Sequence, residues 1–188
     1  MGAKTDTRER MVVSAALMLR ERGVAGTTVS GVLEASGAPR GSVGFHFPGG
    51  RTELLSDALR WVGGLVSSRL RAGVDDGVPA AELFGGIGAY YKQQLLESDF
   101  TAGCPVGAAA QEGYGDADLG PIIAEIVDEW TGLLAESLTR AGREETDAHE
   151  TALAAISALE GAIMMARVTR STRPVDLALD LVLPTLAA

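Results

Sequence analysis

Between Thr28 and Gly50 the chain has room for two short helices joined by a corner, and for little else. Thr28 offers a side-chain oxygen to a backbone N–H of a first turn, and Val29, Val32 and Leu33 form an apolar edge at helical spacing. Gly37 falls where a helix over residues 29–36 needs a left-handed residue to leave by. Pro39 cannot continue that helix but suits the start of another, expected over residues 40–45 and anchored by Val43 and Phe47. Pro48-Gly49-Gly50 ends it, and a longer helix opens at Arg51 with Leu54, Leu55, Ala58, Leu59 and Val62 along one side. This is a helix–turn–helix corner. Its second helix carries Arg40, Ser42 and Gly44, small and polar enough to enter a DNA major groove, with Arg40 and Ser42 expected on the exposed side.

The rest of the chain is helical by periodicity. Met11, Val12, Ala15, Ala16, Met18 and Leu19 form a stripe over residues 7–22, closed by Gly23, and residues 1–6 read as an arm whose Lys4 is solvated or touches phosphate. The helix from Arg51 runs on past Trp61 to Gly73, with Gly63-Gly64 interrupting it midway. Further helices are expected over residues 79–98, 106–112, 121–141, 147–169 and 174–186. No stretch alternates as a strand does. The expected fold is all-α, with about nine helices, a DNA-binding domain over residues 1–60 and a second domain over residues 61–188.

A net charge of −9 argues against nucleic-acid binding until the chain is divided. Residues 1–60 hold eight basic and six acidic side chains, a balance of +2, which leaves −11 for the remainder. A mildly basic head on an acidic body binds phosphate locally while the body suppresses indiscriminate attachment. One cysteine excludes an internal disulfide, and no run of eighteen uncharged apolar residues occurs, so the expectation is a cytoplasmic protein without a membrane span.

The octapeptide Gly41-Ser42-Val43-Gly44-Phe45-His46-Phe47-Pro48 resembles the signature that ends the DNA-binding domain of the TetR/AcrR transcriptional repressors. The doubled glycine before Arg51 and the later Cys104-Pro105-Val106-Gly107 resemble the LmrA/YxaF-like branch of that family. The resemblance implies a homodimeric regulator that binds a double-stranded DNA operator and is released by a small hydrophobic effector. Its DNA-contacting positions fall on Thr28, Pro39, Arg40, Ser42, Gly44, Phe45 and Arg51. Two departures stand out. The family's tyrosine falls on Gly44, so its contact is missing or has moved to Phe45, and the acidic capping-box residue falls on Gly31.

No nucleophile with a base, metal cluster or phosphate loop occurs at recognisable spacing, which points away from an enzyme and from any cofactor or metal. His46 belongs to the corner, where it is expected to be structural and hydrogen-bonded. Trp61, Phe84, Tyr91 and Trp130 either pack as core or line an effector cavity, with Gln111 and Glu112 as polar wall candidates. Cys104, at a helix start, is either packed or a redox sensor. The last two helices close the chain with more apolar surface than one face can bury, so Ile156, Leu159, Ile163, Leu179, Val182 and Leu183 are expected at a dimer interface. Gly63-Gly64 is either a hinge or a matter of composition in a chain with 24 glycines. The competing class is an all-helical binding or scaffolding protein whose corner does not read DNA.

Overall fold

The computed structural model describes residues 2–187, with side chains from Asp6 onward, so the Lys4 side chain lies outside the described residues. These residues form nine helices and no strand: α1 Gly2–Gly26, α2 Val29–Ser36, α3 Ser42–His46, α4 Gly50–Asp75, α5 Ala80–Glu97, α6 Pro105–Gly113, α7 Leu119–Arg140, α8 Glu145–Thr169 and α9 Arg173–Leu186. They divide into two compact units, one made of residues up to Gly64 together with Pro105–Ile126, the other of Leu65–Cys104 together with Val127–Ala188. The first unit therefore takes in α6 and the start of α7, which the sequence reading assigns to the second domain.

The first unit is built on α1. Met11, Val12, Ala15, Ala16, Met18 and Leu19 are all buried, as the stripe requires, and Gly23 leaves the helical region at φ 68°, ψ −172°. Thr28 caps α2 by accepting a hydrogen bond from Gly31 N at 3.1 Å, and Gly37 ends it in the left-handed region at φ 64°, ψ 22°. Phe47 follows α3 and is fully buried, with the Arg8 guanidinium 5.1 Å above its ring. Arg8 also pairs with Asp57 at 2.5 Å, tying α1 to α4. The apolar side chains of α6 and early α7, Val106, Ala109, Leu119, Ile122, Ile123 and Ile126, complete this core.

In the second unit α5 packs against α8 and α9, with Leu179 of α9 so close over Gly88 that a Cβ there would lie 2.6 Å from its Cδ2. Lys92 and Asp176 pair across the same seam at 2.5 Å. Trp130, Leu133, Leu134 and Leu138 of α7 and Leu70 and Val74 of α4 are buried in this unit.

Helix α4 corrects one expectation. It runs unbroken from Gly50 to Asp75, without the interruption foreseen at Gly63-Gly64. Gly63 is a close-approach glycine, where a Cβ would meet Ile126 Cγ1 at 2.8 Å, whereas nothing lies within 4 Å of a Cβ at Gly64.

Candidate nucleic-acid interface and effector cavity

Helix α3 is one and a half turns long, and its placement decides which residues of the corner face outward. Val43 is half-buried and Phe47 fully buried, so the opposite edge of α3, with Gly44 and Phe45, is exposed, as are Arg40 and Gly41 in the turn before it. Phe45 shows 60% of its surface, unusual for an aromatic in so small a unit, and Gly44 beside it has open space where a side chain would stand. Pro39 and Thr28 are exposed as well, though the Thr28 hydroxyl is committed to the α2 cap.

Two expected contacts are corrected. Ser42 is 9% exposed, because it begins α3 with its N–H bonded to Pro39 O at 2.9 Å and its side chain turned inward. Arg51 is turned inward too. Its Nε donates to Thr27 O at 2.9 Å and a second nitrogen to Val24 O, which also accepts from Thr27 N, so it ties down carbonyls at the exit of α1. His46, expected to be hydrogen-bonded, instead packs its ring edge-on to Phe45 at 4.9 Å and against Phe47 at 6.4 Å.

The second unit contains a cavity lined by Val66, Leu70, Phe84, Ile87, Tyr91, Trp130, Leu134, Ile156, Leu159 and Glu160, with an internal volume of about 30 Å³. Phe84, Tyr91 and Trp130 meet there and are all buried, which both readings of the aromatic cluster, core or cavity wall, accommodate. Trp61 does not; it lines a separate cleft of the first unit with Arg8, Glu9, Val12 and Asp57. Gln111 and Glu112 are exposed on α6, in the first unit, because the apolar edge of that helix is spent on Val106 and Ala109. Glu112 accepts a hydrogen bond from Ala25 N at 2.7 Å, a structural tie between α6 and the end of α1.

The carboxyl that lines the cavity is Glu160, which sequence reading missed. Cys104 is buried and hydrogen-bonded to Glu160 and to Tyr91. Burial raises the Glu160 carboxyl above the usual carboxylate range and pushes the Tyr91 phenol well above its ordinary value. A signal was available: Glu160 is the single charged residue in the apolar run 151–166.

Residues 80–180, which supply α5 to most of α9, match the family model of the LmrA/YxaF-like transcriptional regulators' C-terminal domain. The chain belongs to the LmrA/YxaF-like branch of the TetR family. It is 45% identical to an HTH-type transcriptional regulator of Mycobacterium tuberculosis, over 90% of this chain and 89% of that one. The HTH-type regulator LmrA of Bacillus subtilis is 27% identical, covering 90% of each chain. Among solved structures, a regulatory protein TetR from Rhodobacter sphaeroides superposes with a TM-score of 0.80 at 18% identity, over 94% of this chain and 97% of that one, which supports the fold. As a TetR-family HTH-type regulator the chain carries its corner in the first unit, and the matched residues 80–180 include the cavity-lining residues from Phe84 to Glu160.

Two of the expected dimer residues, Leu159 and Ile163, are corrected by their burial. Leu159 and Ile163 are buried inside the unit, Ile156 lines the cavity, and Leu179 and Leu183 pack toward Gly88 and Gly85 of α5. Val182 is half-buried. The apolar side chains that α8 and α9 leave uncovered are Leu153, Met164, Met165, Val168, Leu177 and Leu181.

Proposed function

We propose that this regulator is a homodimeric repressor whose α3 enters the major groove of its operator and whose release is triggered by a small hydrophobic molecule in the second unit's cavity. The observation that carries the reading is the outward edge of the corner, where Arg40 in the turn before α3 and a largely exposed Phe45 on α3 stand opposite a side that is locked into the core. Arg40 supplies a charge-assisted bond to a base edge or phosphate. Phe45 supplies apolar contact of the kind that thymine methyl groups accept, in place of the family tyrosine that falls on Gly44.

The cavity supports the effector half. Its wall is apolar and aromatic with one carboxyl, the composition of a small-molecule site, but its free volume of about 30 Å³ is far below the roughly 300 Å³ at which ligand pockets begin. Binding therefore has to part the lining side chains, and that displacement is the differential interaction a ligand needs in order to shift an equilibrium. Helix α4 passes without a break from the corner's unit into the cavity's lining at Val66 and Leu70, a continuous element through which such a shift reaches the DNA-binding residues.

A second copy is the proposed partner of the uncovered face of α8 and α9. Helix α8 is long and apolar enough to cross a membrane by length and composition, with a mean hydropathy of 1.4 over its most apolar window. Its buried alanine face, from Ala148 to Ala166, already packs in the unit, so one remaining apolar side calls for a helix partner and not for lipid all round. With that partner the protein works as a cytoplasmic dimer. The test is fluorescence anisotropy on DNA from upstream of its own gene, with small hydrophobic compounds chosen by thermal shift. Compounds that raise the melting temperature should release the DNA; stabilisation without release would remove the effector half of the reading.

A further inference from the structure

Among the described residues, no ion pair reaches the carboxyl of Glu160. Among this unit's described residues, ion pairs join Arg71 and Arg140 to Asp75 and Glu136, Lys92 to Asp176, Arg143 to Asp147 and Arg170 to Asp99, and none of these reaches Glu160. What meets it instead is the thiol of Cys104, with the Tyr91 hydroxyl alongside. An acid set into an apolar helix face, facing a cavity and reached by none of these ion pairs, is a stability liability that a leucine or glutamine at the same place would avoid. Around it stand Phe84, Tyr91 and Trp130, whose ring faces are electron-rich and attract a positive charge.

We propose that the cavity selects a small lipophilic monocation, with its charge at the Glu160 carboxylate and its apolar body among Phe84, Tyr91 and Trp130. This rests on the reading of the cavity as the effector site and names the class of effector it takes. An anion is repelled by the carboxylate, and a neutral guest adds no charge to answer it beyond the Cys104 hydrogen bond. In the empty cavity burial favours the protonated carboxyl; an arriving cation favours the carboxylate, and the proton passes to the buffer. The titratable groups facing Glu160 are Tyr91 from α5 and Cys104 from the segment before α6, and burial holds the phenol neutral. Affinity for the cation therefore rises as pH rises through the elevated Glu160 value.

The probes are benzyltrimethylammonium and its uncharged isostere neopentylbenzene, titrated into the full-length protein by calorimetry in two buffers of different ionisation enthalpy. The expected result is a preference for the cation of about tenfold or more, with proton release on binding of the cation alone. Glu160→Gln, which keeps the shape and removes the charge, should bring the two probes to equal affinity and abolish the release. Equal affinities in the native protein, or cation binding without proton release, would overturn the cation assignment while leaving the cavity reading in place. If neither probe binds at millimolar concentration, the cavity reading falls and this inference with it. The proton-release measurement uses the native chain, so the outcome does not depend on the variant folding.

Discussion

At Gly31 a glutamate would complete a capping box with Thr28, but a Cβ there would come within 2.7 Å of Met18 Cε on α1, so close helix packing has displaced the second half of the cap. The two arginines of the corner separate by the same kind of local geometry. Arg40 is exposed, whereas Arg51 is held by the carbonyls of Thr27 and Val24. Arg40→Ala should weaken operator binding by about 1–3 kcal/mol and leave the melting temperature unchanged. Arg51→Ala should instead lower stability by about 1–3 kcal/mol, since it strips a charged donor from two carbonyls, as denaturant unfolding will show. Glu160 gives a pH signature. Its folded value lies above its unfolded value, so the native state holds more protons between the two, and stability falls as pH rises through that window. Glu160→Gln should accordingly raise the melting temperature at pH 8 and change it little near pH 4; a shift of equal size at both would show that burial of the carboxyl is not its cause.

Helix α4 makes the glycine pair testable one residue at a time. Gly64→Ala meets open space and should stabilise the protein by about 1 kcal/mol, the ordinary helix-propensity difference. Gly63→Ala drives a methyl into Ile126 and should destabilise it in thermal unfolding. Matching effects from both would mean that Ile126 does not press on this helix. Periodicity and caps made the helices legible: Thr28, Gly37, Gly23 and the α1 stripe all act as their residue types dictate. The faces of α8 were not legible, because that helix is apolar nearly all round. Its inward side is mostly alanine and its outward side Leu153, Met164, Met165 and Val168, and only packing against α9 and α5 tells them apart. Gln111 and Glu112 misled for a related reason. They are polar ends of an apolar short helix, and nothing in spacing says that this helix packs along α1 and not around a cavity. Ser42 sits on a helix too short for periodicity to orient.

For the whole molecule, the uncovered face of α8 and α9 and the exposed edge of α3 make separate demands. Val168 and Leu181 are each 75% exposed, and a double change of Val168→Glu and Leu181→Glu should leave each chain folded but yield a monomer by sedimentation at micromolar concentration. That monomer should also lose most operator affinity, since two heads on a near-palindrome act together. A dimer that survives both changes would place the interface elsewhere. The most direct measurement is the ratio of affinities for DNA from upstream of its own gene and for unrelated DNA of equal length, taken at about 150 mM salt, where phosphate attraction alone is weak. A regulator with Arg40 and Phe45 reading base edges should prefer its own upstream DNA by about 10³-fold or more, and lose most of that preference in Arg40→Ala with Phe45→Ala. Equal affinity for the two DNAs, with neither binding more tightly than micromolar, would contradict sequence-specific recognition by this corner.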